Sequence, residues 1–163
     1  MPLPEKQRVL EAVLDQLAAD LSHATQAAEE TRRDATHEEA KPENDKDTRA
    51  LEQSYLARGQ ALRAEQLAEE REVLRFLNLP AFEPDAAISA GALVELEDDD
   101  GGTRVLFMLP HAGGTEVSVD GVSVLVVTAA SPLGAALLGR GQGDDVSLRT
   151  RDKRRNYVIS EVR

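Results

Sequence analysis

Glycine divides this chain in two: only Gly59 occurs before position 91, and the ten others fall between Gly91 and Gly143. Glycine weakens helices and supplies the positive-φ residues that turns need. The first half is therefore expected to be helical and the second to be strands and turns. The 163 residues then make two small domains rather than one. The expected bounds are a helical domain over 1–79, a linker over 80–87 stiffened by Pro80 and Pro84, and a second domain over 88–163.

From Leu10 the positions Leu10, Leu14, Leu17, Leu21, Ala24 and Ala28 alternate steps of four and three, the seam of a coiled coil. Pro4 suits a first helical turn, whereas Pro42 cannot lie inside a continuing helix, so the first arm is expected to stop shortly before it. Asn44 or Asp45 can cap a second arm running to Leu77, rich in Ala, Leu, Glu, Arg and Gln. In that arm Ala50, Ser54, Ala57, Ala61, Ala64 and Ala68 repeat at heptad steps, flanked by Leu51, Tyr55, Leu62, Leu67 and Leu74. Small seam residues permit close approach of the Leu face of the first arm. Two arms of similar length with a short connector pack most economically as an antiparallel hairpin, which at about 1.5 Å per residue carries its tip ~45 Å from its base. Homodimerisation is the competing use of the seam, and a monomer is the expectation.

The tip, over about 38–47, is acidic: Glu38, Glu39, Glu43, Asp45 and Asp47 fall in ten residues. Carboxylates on a projecting loop suit a hard cation such as Mg²⁺, or orient a water for attack on phosphorus. Glu43, Asp45 and Asp47 are also explained by the positive N-terminal end of the second arm, Asp45 and Asp47 most readily. Glu38 and Glu39 are not, since they stand at the negative end of the first, and for them solvation or pairing with a nearby Arg is the alternative to a functional role. His23, His37 and His111 have no metal-ligand spacing among them, and there is neither a phosphate-binding glycine motif nor a nucleophile elbow. No intrinsic cofactor and no self-contained active site are expected.

Composition narrows the function classes. A net charge of −11 argues against general duplex binding, because phosphate contact needs clustered Lys and Arg. Nucleic acid remains reachable through a protein partner. Zero cysteines exclude a disulfide scaffold and thiolate metal sites. The start Met1-Pro2-Leu3-Pro4-Glu5-Lys6 has no apolar signal core, and no apolar run reaches the ~20 residues of a membrane span. A cytoplasmic chain without membrane contact is expected.

In the second half, strands are expected over Leu93–Glu97, Val105–Leu109, Glu116–Val119, Val122–Thr128, Val146–Thr150 and Tyr157–Val162. Asp100-Gly101 and Asp120-Gly121 mark hairpin turns. Ser131 can cap, and Pro132 open, one short helix that Gly139 ends. An antiparallel sheet packed by that helix makes the whole chain α+β, a helical hairpin followed by a small β-rich domain.

Ser131-Pro132-Leu133-Gly134-Ala135-Ala136-Leu137-Leu138-Gly139, then Gly143-Asp144, then Tyr157-Val158-Ile159, resembles the C-terminal domain of the GreA/GreB transcription elongation factors. Gly91-Ala92-Leu93-Val94-Glu95-Leu96 resembles that domain's opening strand, and the preceding hairpin is similar to the family's coiled coil. The resemblance implies an FKBP-like C-terminal domain that docks at the rim of the secondary channel of bacterial RNA polymerase, with Ser131, Pro132, Leu133 and Gly134 as the contact. It implies a hairpin that enters the channel and meets the RNA 3′ end indirectly. There Glu39, Glu43 and Asn44 would take part in cleavage of backtracked RNA. Glu39 and Glu43 would help hold a Mg²⁺ shared with the polymerase, and only in that complex.

Lys41-Pro42-Glu43-Asn44 resembles the family's tip pattern through Glu43-Asn44. Ala40 stands where the family's first acid would be, and Asp45-Lys46-Asp47 replaces its usual Ala-Glu-Tyr. Ala130 precedes Ser131-Pro132 where some members have Asp. Three functions remain in competition: an accessory factor donating acids to the polymerase, a channel-binding regulator or inhibitor without cleavage activity, and a prolyl isomerase. The third needs an aromatic-walled pocket, for which the second domain offers only Phe107 and Tyr157.

Overall fold

The computed structural model of the protein describes residues 2–39 and 47–163. Two helices occupy the first half, α1 (Lys6–Glu39) and α2 (Asp47–Arg75). Pro4 stands two residues before α1 rather than in its first turn, and the expected stop before Pro42 lies outside the described residues. The described chain forms two compact units. One is Leu17–Glu72; the other joins Met1–Gln16 to Val73–Arg163.

Within Leu17–Glu72 the arms form the expected hairpin, burying Leu17, Ala35, Ala50, Ala57 and Leu67. Its seam does not close everywhere. Thr25, Ala28 and Arg32 of α1 face Ser54, Ala57 and Ala64 of α2 across a groove of about 480 Å³. The Leu seam of α1 has given way to alanine by Ala24 and Ala28, so small residues face small residues. Interhelical spacing of 8–10 Å then leaves room that neither arm fills. Leu51, Tyr55, Leu56 and Leu62 are more than half exposed, because a two-helix rod has one contact stripe and nothing to cover its flanks.

The other unit contains a six-stranded sheet of β1 (Leu93–Asp98), β2 (Thr103–Met108), β3 (Glu116–Val119), β4 (Val122–Val127), β5 (Asp145–Thr150) and β6 (Lys153–Val162), with α3 (Pro132–Leu137) between β4 and β5. The spatial order is β3-β4-β2-β1-β6-β5. The sheet is mixed rather than wholly antiparallel, since β2 and β4 pair in parallel, Val105 opposite Val124. Burial explains it. The chain places four-residue β3, with Glu116 and Ser118 exposed, on the edge and returns the more apolar β4 into the slot beside β2. The reversal is made at Asp120 (φ 53) and Gly121 (φ 80), the two consecutive positive φ angles of a type I′ turn.

The core gathers Ile88, Val94, Leu96, Leu106, Met108, Val127, Leu137, Val146, Tyr157 and Ile159, with α3 lying on this face through Leu133, Ala136 and Leu137. β6 begins at Lys153, four residues before the expected Tyr157. Its basic start pairs with β5 despite carrying no apolar alternation, because the backbone ladder continues past the edge of the core.

The bases of the arms belong to this same unit. Lys6 Nζ donates to Gly91 O at 2.8 Å and also to Pro80 O, and sits 4.7 Å above the Phe82 ring. Arg8 pairs with Asp120 at 2.6 Å, and Arg163 Nη1 donates to Leu3 O at 3.2 Å. Residues 80–87 are tied down as well: Phe82 packs on the core, and Ala86 N donates to Glu83 O at 2.9 Å.

Candidate functional site

Ser131, Pro132, Leu133 and Gly134 form one turn at the start of α3. Ser131 is the N-cap, with Oγ accepting from Gly134 N at 3.0 Å and donating to Thr128 O at 2.8 Å. Pro132 occupies the first helical position, where its missing N–H has no bond to lose. Gly134 is buried so tightly that a Cβ would stand 1.8 Å from Thr128 O. Thus Ser131 and Gly134 are explained by local architecture. Pro132 is exposed, as is Leu138 at 48%, and neither has a structural duty that requires it.

The same turn walls a groove of about 780 Å³, with Pro132, Leu133 and Ala136 on one side and Leu125, Leu148 and Arg149 on the other. An apolar floor beside a guanidinium suits a partner that offers apolar side chains and acids together. Phe107 and Tyr157 are 0% and 3% exposed, and line none of this groove. It therefore lacks the aromatic walls a prolyl isomerase pocket calls for.

The motif's other half is also built locally. Gly143 has φ 91, and Asp144 Oδ2 accepts from Gly141 N at 2.7 Å, closing the turn into β5. Ile159 N then donates to Asp144 O at 3.0 Å, locking that turn to β6.

The tip residues stand differently. Glu43 and Asn44 lie in the connector between α1 and α2, outside the described residues, and Glu39 is described only as the last residue of α1. Among the described residues no group of three His, Cys, Asp or Glu side chains is placed to hold a metal. None of the described helices is long and apolar enough to cross a membrane.

Sequence reasoning placed strands near β5 and β6 but passed over the basic cluster of their hairpin. Arg149, Arg151, Lys153 and Arg154 with Ser147 and Asp152 line a second concavity at its end, which shares Ser147 and Arg149 with the groove beside α3. The signal was present as five basic residues within 149–155, hidden by the acidic total.

Residues 83–163 match the family model of the C-terminal domain of transcription elongation factor GreA/GreB. The chain belongs to the GreA/GreB family. Among solved structures this GreA/GreB-family chain is similar to GreA factor homolog 1 (Gfh1) of Thermus thermophilus, with 24% identity over 97% of this chain and 94% of that one, at a TM-score of 0.39. It is similar to Thermus aquaticus Gfh1, with 23% identity over 93% and 94% and a TM-score of 0.40. It is also similar to a GreA/GreB elongation factor of Nitrosomonas europaea, with 18% identity over 59% and 77% and a TM-score of 0.37. No curated protein matches it significantly. At these TM-scores the family assignment rests on the C-terminal domain, which is that of a transcription elongation factor.

Proposed function

We propose that this chain binds RNA polymerase at the rim of its secondary channel and stimulates cleavage of backtracked RNA through its acidic tip. The observation that carries the reading is the union, in one chain, of a GreA/GreB C-terminal domain with a hairpin whose arms run 34 and 29 residues. Exposed Pro132 beside an apolar groove gives the rim contact a surface to use. A rod of two long helices buries little for its length, so its use is to carry a tip to a distant place.

At that tip Glu39 and Glu43 offer hard oxygen donors of the kind a Mg²⁺ takes, and Asn44 offers an amide to orient a neighbour. Their donor chemistry fits a cation supplied by the polymerase. Such a cation lowers the pKa of a bound water and polarises the phosphoryl group. The carboxylates contribute charge and position; the catalytic centre stays with the polymerase.

A second reading has its own support. Ala40 in place of an acid and Asp45-Lys46-Asp47 beyond Asn44 favour a factor that occupies the channel and regulates transcription without cleavage. Purified protein added to a stalled, backtracked polymerase complex separates the two. Faster release of short 3′ RNA supports cleavage, whereas binding without acceleration supports the regulator. No binding to polymerase removes both.

A further inference from the structure

The segment 149–155, Arg-Thr-Arg-Asp-Lys-Arg-Arg, sets five basic side chains against one acid in a chain of net charge −11. The fold concentrates them. β5 and β6 pair antiparallel with Arg149 directly opposite Arg154, and Leu148 opposite Arg155. Cross-strand partners share a face, with Cβ atoms about 5 Å apart, so two guanidinium groups leave the same side of the ribbon where like charges repel. An anion lying across both relieves that repulsion. Arg154 Nε donates to Ser147 Oγ at 2.8 Å along the same face, which holds one guanidinium in place. Arg149, Arg151, Lys153 and Arg154 border one concavity of about 590 Å³, and β5 is the outermost strand of the sheet, so the ribbon is open along one edge.

We propose that the β5–β6 hairpin binds the phosphate backbone of duplex DNA without regard to sequence. Four of its five cations are arginines, whose planar forks match phosphate oxygens in pairs. Residues 145–156 contain no aromatic side chain, and Tyr157 is 3% exposed, so the stacking platform that single strands require is absent from this hairpin. A two-stranded ribbon enters the ~12 Å major groove of B-form DNA, whereas the deep, narrow major groove of an RNA duplex does not admit it. The acidic total limits affinity without forbidding contact. Charges beyond about 10 Å are largely screened at moderate salt, so the local cluster decides the sign at the point of contact. The proposal does not require polymerase binding, although Arg149 also lines the groove beside α3.

The test titrates the full-length protein against a labelled random-sequence DNA duplex of about 30 base pairs at low salt, with single-stranded DNA, an RNA duplex and polyglutamate as alternatives. The result expected is saturable binding to the DNA duplex. Its log affinity should fall against log salt with a slope of about −3 to −4, at about −0.9 per phosphate neutralised. Arg149→Gln, Arg151→Gln and Arg154→Gln together should weaken binding at least about tenfold, while Arg149→Lys with Arg154→Lys keeps it within about threefold. Circular dichroism verifies the fold of each variant. Should the triple variant not fold, Arg151→Gln alone, at the turn, must reduce the salt slope by about one. Absence of duplex binding at low salt overturns the proposal. So does undiminished binding by a folded Gln variant, or higher affinity for single strands, RNA duplex or polyglutamate.

Discussion

Gly134 approaches Thr128 so closely that a Cβ added to it would stand 1.8 Å from the Thr128 carbonyl oxygen. The obstacle is backbone, and that backbone is fixed by the Ser131 hydroxyl, which donates to the same oxygen at 2.8 Å. Neither side can give way without dismantling the cap of α3. Gly134→Ala is therefore expected to destabilise the C-terminal domain by about 3 kcal/mol, at the upper end of overpacking costs. For a domain of this size that lowers Tm by more than ~10 °C, measurable by differential scanning calorimetry.

Ser131 and Pro132 are adjacent yet answer to different demands, and substitution separates them. Ser131→Ala removes the N-cap acceptor of Gly134 N and is expected to cost about 1 kcal/mol. Pro132→Ala keeps the cap and exposes no new core, so stability should change by less than about 0.5 kcal/mol. If the turn is the polymerase contact, Pro132→Ala weakens binding to polymerase at least about fivefold while leaving the melting curve in place. Unchanged binding would assign the whole motif to folding.

The contrast between those two residues also explains what could be foreseen. The two helices, five of the six strands, the Ser131 cap and the Asp120-Gly121 reversal follow from local chemistry, heptad steps, alternation and turn residues, and those five strands lie within two residues of where the rules put them. The parallel pairing of β2 with β4 does not follow from them. It depends on which of two neighbouring strands buries more apolar surface, a comparison made only when the sheet assembles. The early start of β6 escaped because Lys153, Arg154 and Arg155 carry no apolar alternation, and their pairing with β5 is a backbone matter. The Ser131–Gly134 turn was legible as a helix start, but its groove was not. Leu125 on β4 and Leu148 and Arg149 on β5 reach it from other elements, brought beside α3 only by the folded sheet.

Lys6 ties the base of α1 to the C-terminal domain and should make stability depend on alkaline pH. Burial of its ammonium pushes its pKa below the usual 10.5. The folded state then binds fewer protons than the unfolded one between the lowered value and 10.5, so stability rises with pH across that interval and levels off above it. Lys6→Met should abolish that rise in urea unfolding curves taken from pH 8 to 10.5. At pH 7 it should cost about 1–3 kcal/mol through loss of the bonds to Pro80 O and Gly91 O. Arg8→Ala is the control. Its pair with Asp120 is about half exposed on both sides, so its loss should cost no more than about 1 kcal/mol.

The groove between the arms predicts a stabilising substitution. Ala28 faces Ala57 and Ala64 across unfilled space, and Ala28→Leu would bury three more carbon atoms at about 0.8 kcal/mol each where it fits without strain. Allowing for lost rotamer freedom, a gain of about 1 kcal/mol is expected, seen as a higher melting temperature by far-ultraviolet circular dichroism. A fall in stability would mean that the arms pack more tightly in solution than the groove implies.

The tip acids can be ranked by charge alone. Glu43→Gln keeps shape and polarity while removing the anion, and if Glu43 helps hold a Mg²⁺ the cleavage rate in a backtracked complex should fall at least about tenfold with polymerase affinity unchanged. Glu39→Gln should lower it as well. Carboxylates acting on one cation give a double variant less impaired than the product of the single effects. Asp45→Asn is the discriminating control: asparagine caps a helix as well as aspartate does, so a carboxylate that only caps can be replaced with a change of less than about twofold. A chain that binds polymerase but accelerates cleavage in none of these forms acts as a regulator, with Ala40 the first position to restore. Ala40→Asp should then confer measurable cleavage, read as release of short 3′ RNA.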